Sequence, residues 1–338
     1  MKRYLFFILV LFLLNFNVFA FEIKTDEDKY IDQLIYDAVE DYHAGRFEES
    51  LEKFREIQKL RPKHPAGYVY EAGALNFIMS DFRNYKWAKE FNSLIKKSII
   101  LSKEMIKKNP KSPWGYFYLG ASFGFRGVKA ADDEKWIKAF IDGNLGYIQL
   151  KKVQDLDPTI IDIYYGLGIY HYWRGAKTKV FKWLKIFPGE KELGLSQLEK
   201  CIQEGNYTRV EGESSLLRIL VYEERFPEAV ELADSLISRY PGFLFCYRYR
   251  GIALVKQKKF KSAIDNQYEM MEIINNSKYA VKYTLFEVEK ELFYIYIEMG
   301  DHKKAREYGT ELTVKYKKYR TGRIGKELPK IKKTLKKL

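Results

Sequence analysis

Apolar residues recur along most of the chain at the three- and four-residue steps of amphipathic helices, and no alternating, strand-like stretch bounded by turn dipeptides occurs. Only nine of the 338 residues are proline. The same scheme repeats: an amphipathic helix with a small residue in its middle, a turn, a second helix, and a proline near its end. Proline cannot continue a helix, so it separates one unit from the next. The pattern predicts an all-α protein.

The units recur at a fixed step. Pro62, Pro110 and Pro158 are 48 residues apart. The same 48-residue step separates four small residues, Ser50, Ser98, Gly146 and Gly194. The first three stand twelve positions before the three prolines. A fixed period of this kind indicates stacked units that bury their apolar faces against each other.

The motifs inside the units resemble the tetratricopeptide repeat (TPR) family, whose signature runs W-x2-L-G-x2-Y, then A-x3-F, then P. Two segments carry the likeness, Tyr116-x2-Leu119-Gly120-x2-Phe123 and Tyr164-x2-Leu167-Gly168-x2-His171. The resemblance implies a right-handed α-solenoid of about seven TPR-like hairpins over residues 31–314. It also implies a general role as a binding scaffold.

Small residues are expected where the two helices of a hairpin cross, because only a small side chain lets the backbones approach. On the first helices these are Ala38, Ala72, Gly120, Gly168 and Gly251, and on the second helices Ala229, Ala263 and Ala305. Two hairpins depart from the pattern, with Leu217 and Phe293 in place of the small residue. Ala233, Gln267 and Gly309 replace the aromatic residue of the second helix.

Three consecutive hairpins carry an extension. The two small positions are twelve residues apart in the first hairpin, Ala38 to Ser50, but 26 apart in the next three, as in Gly120 to Gly146. The 14 extra residues equal about four helical turns. Two added turns on each helix would keep every face in register, and an excursion loop is the other account.

Each extension carries a Lys-Trp pair: Lys86-Trp87, Lys135-Trp136 and Lys182-Trp183. The tryptophans are 49 and 47 residues apart, which places them in neighbouring units. A ladder of large rings would form a wall or groove for an apolar ligand or an extended peptide. The alternative is that the rings pack the longer hairpins together. These six residues are the predicted binding site.

The first twenty residues are typical of a secretory signal peptide. Lys2 and Arg3 precede an apolar run from Tyr4 to Leu14, and Ala20 stands at the expected cleavage point. An uncleaved anchor is the alternative. The expected domains are a signal peptide at 1–20, a TPR-like domain at 21–314 and a basic tail at 315–338, with the mature protein exported to the periplasm or beyond.

The net charge of +14 is concentrated at one end. Residues 315–338 hold eleven Lys or Arg and one Glu, so the remainder is nearly neutral and a nucleic-acid partner is disfavoured. Leu328, Ile331, Leu335 and Leu338 would form one apolar stripe on a helix from about Glu327. Such a helix either contacts an anionic membrane surface or caps the solenoid, and one segment could do both.

Residues for catalysis are few. His171 occupies the aromatic position of its repeat and no acid, base or nucleophile constellation recurs, so we expect a packing histidine and a non-catalytic protein. No cofactor or metal motif is present in the sequence. Cys201 and Cys246 fall on apolar helix faces, which favours two buried thiols over a disulfide.

The expected function is therefore a protein- or peptide-binding scaffold of the cell envelope that uses the concave groove of the solenoid. The alternative is a binding protein whose extended hairpins hold an apolar or anionic small molecule or an envelope lipid.

Overall fold

A computed structural model describes residues 26–176 and 190–338, with side chains over 28–174 and 190–338. Fifteen α-helices and no strand occur in these described ranges. In chain order they are α1 Asp26–His43, α2 Phe47–Leu60, α3 Ala66–Asp81, α4 Ala88–Lys108, α5 Pro113–Asp132, α6 Trp136–Leu156, α7 Ile163–Ala176, α8 Glu190–Glu204, α9 Arg209–Tyr222, α10 Phe226–Arg239, α11 Leu244–Lys256, α12 Phe260–Asn275, α13 Lys282–Met299, α14 His302–Lys315 and α15 Gly322–Leu335. The predicted all-α class is confirmed.

Consecutive helices pair into seven hairpins. In the six from α3/α4 to α13/α14, each helix packs mainly on the helices before and after it in the chain. In the first, Lys53 of α2 pairs with Asp41 of α1. The chain separates into two compact units, Met1–Gln33 and Leu34–Leu338. The first contains only the start of α1 among its described residues. The second contains the hairpin array, as expected for a solenoid that is stabilised by neighbour contacts.

The extension is helical where it is described completely. In the third hairpin, α5 and α6 have 20 and 21 residues, against 14 each for α9 and α10 in the fifth. Six to seven extra residues are about two turns on each helix. In the second hairpin only α4 is lengthened, to 21 residues, and the rest forms a turn and the short 3-10 helix Tyr85–Trp87. The extension of the fourth hairpin falls on 177–189, outside the described residues.

The predicted small residues lie at close helix crossings. The tightest is in the fourth hairpin, where a Cβ on Gly194 would lie 2.7 Å from the Gly168 carbonyl oxygen and 2.5 Å from the Tyr172 nitrogen. Any larger residue at either glycine would push α7 and α8 apart. Ala38, Ala72, Ala229, Ala263 and Ala305 are all fully buried.

The two departures from the small-residue rule are compensated across the crossing. Phe293 on α13 faces Gly309 on α14, where a Cβ would lie 2.6 Å from the phenyl ring. Leu217 and Ala233 are both fully buried and belong to one cluster, where again a large residue on the first helix accompanies a small one on the second. Two facing positions can therefore exchange sizes while the volume between the helices stays filled.

The first two hairpins contact the sixth and seventh. We call the contacts between residues 42–87 and 240–287 the clasp. Asn84 donates to the Tyr279 carbonyl at 2.9 Å, and Gly45 and Gly242 meet backbone to backbone. Arg83 donates to Glu287 at 2.9 Å, and Arg248 donates to the same carboxylate at 3.2 Å. The clasp brings the first helices of distant hairpins close together.

The basic tail forms a packed helix. It begins at Gly322 instead of the expected Glu327, and Ile324, Leu328 and Ile331 are buried in a cluster with Phe286 and Phe293 of α13. The apolar stripe is therefore covered by the seventh hairpin, as capping requires. Most of the tail's Lys and Arg side chains face solvent.

Truncation of Ile331 should reveal the capping role. Ile331→Ala is expected to lower the free energy of unfolding by about 2–5 kcal/mol, because it opens a cavity in a fully buried site. Lys332→Ala, on the exposed face of the same helix, should change it by less than about 0.5 kcal/mol. Urea unfolding of both variants measures the difference, and equal stabilities would contradict the cap.

Candidate functional site

The Lys86-Trp87 pair borders a pocket of about 270 Å³ between α2, the turn of the second hairpin and the loop before α13. Trp87 is half-buried with its ring 5.5 Å from that of Tyr279, and the Lys86 ammonium lies 4.1 Å from the Trp87 ring centroid. The other lining residues are Glu48, Leu51, Glu52, Arg55 and Lys278. The ring wall and the charged rim suit a small polar ligand with one flat face.

Two of the three cations around this pocket already have carboxylate partners. Lys278 pairs with Glu48 at 2.5 Å, and Arg55 pairs with Glu71 at 2.6 Å. Lys86 is exposed and contacts the face of Trp87, a cation–π geometry. Of these cations, Lys86 is therefore the one best placed to meet an anionic group entering from solvent.

The Lys135-Trp136 pair lies at a different surface, at the start of α6. Trp136 is 55% exposed, Ile137 81% and Phe140 65%, and Ile141 and Ile148 are about half exposed. We call these five residues the α6 stripe. Phe140, Ile141 and Ile148 stand three, four and eleven positions after Ile137, steps that lie on one helix face, so the stripe runs about 17 Å along α6. Contiguous exposed apolar patches mark interaction sites far more often than scattered residues do.

The third predicted pair, Lys182-Trp183, lies outside the described residues. The structure thus places Lys86 and Trp87 at a pocket and Lys135 and Trp136 at an exposed stripe, and none of these four is fully buried. The proposed ladder of tryptophans is not what fixes Trp87, because its ring packs against Tyr279 of the clasp. All six residues remain a predicted binding site.

The other candidate residues have structural partners. His171 is buried with Nδ1 2.7 Å from the Gln197 side-chain oxygen, as expected of a packing histidine. Cys201 and Cys246 are buried thiols that form no disulfide, and burial raises the pKa of Cys201 to about 12. Within the described ranges, no group of three or more His, Cys, Asp or Glu is arranged to hold a metal ion.

A titratable group that the sequence patterns do not indicate is buried beside the clasp. Glu211 on α9 lies 3.6 Å from His43, the last residue of α1. Burial raises the pKa of Glu211 to about 8, and burial also lowers the pKa of His43 to about 3. Both side chains are therefore neutral near pH 6. Only tertiary contact between the first and fifth hairpins creates this pair, so no local motif could have revealed it.

This burial predicts a loss of stability on the alkaline side. The folded-state pKa of Glu211 lies above its unfolded value of about 4.5, so its contribution is full below pH 4.5 and is lost as pH rises through about 8. Glu211→Gln has no such loss. As pH rises from about 4.5 to about 8, we expect the free energy of unfolding of the variant to increase relative to that of wild type by on the order of a few kcal/mol.

Urea unfolding in amine-free buffers at several pH values measures this gain. The lowered pKa of His43 removes stability only below its unfolded value of about 6.5, and it acts in both proteins. A difference between the proteins that does not change with pH would show that Glu211 is solvated.

None of the helices in the described ranges combines the length and the apolar composition needed to cross a bilayer. No protein-family model matches the chain, and no curated protein matches it in sequence.

Several solved structures resemble it. A TPR protein of Thermus thermophilus, TTC0263, is 17% identical with a TM-score of 0.40, over 66% of this chain and 99% of that one. Human IFIT1, solved as a dimer with m7Gppp-AAAA, is 13% identical with a TM-score of 0.45, over 86% and 74%. Yeast Tom70 is 10% identical with a TM-score of 0.35, over 88% and 86%. Such values describe a general likeness of fold and carry no information on ligands.

The stronger structural argument comes from the chain itself. Seven consecutive hairpins follow one another, and small residues occupy the crossings that the sequence motifs assign to them. The large-for-small exchanges occur in pairs that face each other. The resemblance to the tetratricopeptide repeat family is confirmed at the level of fold, and the protein is a TPR-like helical repeat protein.

Proposed function

We propose that the protein is a non-catalytic scaffold of the cell envelope that binds a protein partner through the α6 stripe. The observation that carries this proposal is the exposure of Ile137, Phe140 and Ile141 on one helix face. A helix in the interior of an array normally buries its apolar face, so large apolar side chains exposed in this number indicate a further occupant.

The predicted concave groove is a less open surface than a solenoid usually offers. First helices of four hairpins meet where Tyr42, Tyr70, Phe125 and Glu211 surround a cavity of only about 30 Å³. A peptide cannot enter a space of that size without separating the helices. The outward α6 stripe needs no such rearrangement.

Charge narrows the chemistry of the partner. Lys138 is exposed beside the α6 stripe, whereas the exposed Lys135 pairs with Asp133 at 3.3 Å, and Asp142 on the same helix is buried in an ion pair with Arg126. The exposed charge nearest the centre of the stripe is therefore the positive charge of Lys138. An amphipathic helix whose apolar face is bordered by acidic residues would match both features.

Replacing apolar residues of the α6 stripe with charged ones tests this proposal. Ile137→Asp with Phe140→Asp is expected to weaken partner binding by about 2 kcal/mol or more per residue, as for central interface anchors. Folding should be affected little, because both side chains are mostly exposed. A photo-crosslinker at position 138 would report partner capture, and quantitative binding to the purified partner would follow.

The matched control is Ile100→Asp on α4, where a half-exposed isoleucine lies outside the α6 stripe. This variant should bind as wild type does. Oxidative footprinting of Phe140 in the isolated protein provides a second check. The proposal fails if Phe140 is protected there, or if the α6 double variant captures the same partner equally well.

The proposed envelope location rests on the first twenty residues, which lie outside the described ranges. Lys2, Arg3 and the apolar run up to Leu14 have the pattern of an export signal. Protein for the crosslinking experiment should accordingly be isolated from the envelope fraction of the native cells. A mature N-terminus at Phe21 would support export, and a cytoplasmic protein that retains Met1 would exclude it.

The pocket beside Lys86 and Trp87 favours a second candidate function, the binding of a small anionic or aromatic molecule. Its volume of about 270 Å³ is close to the lower end of ordinary ligand sites. Lys86 would meet the anionic group, and the rings of Trp87 and Tyr279 would contact the flat face of the ligand.

Native mass spectrometry of protein isolated from the envelope tests this candidate. We expect a bound small molecule in wild type, and loss of it in Trp87→Ala with at least tenfold weaker binding, since a ring contact with a cation nearby contributes about 1–2 kcal/mol. Trp136→Ala, outside the pocket, is the matched control. An unliganded wild-type protein would reject this function and leave the α6 stripe unaffected.

A further inference from the structure

The cavity enclosed by the first helices has an unusual lining. Five aromatic rings surround it, together with one carboxyl group and three small or aliphatic residues. The rings belong to Tyr42, Phe54, Tyr70, Phe77 and Phe125. The only ionisable group in the lining other than the two phenols is Glu211, and the lining contains no Lys, Arg or His.

The rings are held firmly against each other. Tyr42 and Phe77 have centroids 5.0 Å apart, and Phe54 stacks on Tyr70 at 5.9 Å. Phe125 lies directly on Gly73, where a Cβ would be 2.8 Å from the ring. The cavity therefore exists because these rings meet around it, and a side chain at Gly73 would displace one of them.

Two polar atoms at this cavity have no hydrogen-bond partner among the residues that the structure describes. They are the Tyr42 hydroxyl, on a side chain about 95% buried, and Oε2 of Glu211. Buried polar atoms of this kind usually indicate an occupant that the protein itself does not supply. The charges that act most strongly on Glu211 are also all negative: Asp162, Glu40 and Glu213.

We propose that this cavity binds a small ammonium-type cation, such as ammonium or methylammonium, between the aromatic rings and the Glu211 carboxylate. Ring faces attract cations, and N–H groups would donate to Oε2 of Glu211 and to the Tyr42 oxygen. The size is appropriate. A water molecule needs about 10–15 Å³ of such space, so about 30 Å³ accepts two heavy atoms, as in methylammonium.

Calorimetric titration with methylammonium chloride at about pH 9 tests the site, because Glu211 is then ionised while the amine stays protonated. Sodium chloride at equal ionic strength and tetramethylammonium chloride, which is too bulky for the cavity, are the control salts. We expect saturable binding of methylammonium alone. The affinity should fall about tenfold or more at pH 6, where the carboxyl is protonated.

Glu211→Gln keeps the size of the side chain and removes its charge, so the protein should remain folded while binding weakens about tenfold or more. Glu231→Gln, on the exposed face of α10, should bind as wild type does. A crystal structure in methylammonium chloride would show the occupant directly. Water molecules alone in the cavity, or equal affinity in Glu211→Gln, would overturn the proposal.

Discussion

The clasp is the contact on which the other features of the molecule depend. Hairpins stacked only on their neighbours would leave the first helices facing an open groove, as in an ordinary solenoid. Here Arg83, Asn84 and Gly45 instead reach residues about 200 positions further along the chain. The pocket at Trp87 lies at this contact, and the cavity at Glu211 lies beside it, between residues of four hairpins; neither exists within a single hairpin.

Closing the chain in this way buries charge, which is costly unless each charge is paired. Glu287 accepts hydrogen bonds from Arg83, Arg248 and Tyr283, and although burial alone would raise its pKa, the two arginines hold that pKa below its usual range. Arg83 also adopts a left-handed backbone conformation, with φ of 51°, at the start of the second hairpin's turn. Among the described residues Glu211 has no such cationic partner, so burial raises its pKa.

Local patterns predicted what depends on local sequence. The helix pairs and the small residues at Gly168 and Gly194 follow from spacing, because helical register is a property of neighbouring residues. For the extensions of α5 and α6 the spacing allowed added turns or a loop, and the structure has two added turns on each helix. The clasp could not be predicted in this way. Trp87 appeared to belong with the other tryptophans of the extensions, but it packs against Tyr279, almost 200 residues away. Contacts at that separation leave no periodic signal.

The aromatic content of the chain, 16% Phe, Trp and Tyr, therefore has two different consequences. Where rings face inward, as Tyr42 and Phe77 do, they fill the groove that a solenoid would offer to a peptide and leave space only for a small cation. Where they face outward, as Phe140 does on α6, they stay exposed. A protein that has closed its concave face around its own side chains can still bind a large partner, provided that the binding surface lies on the outside of an extended hairpin.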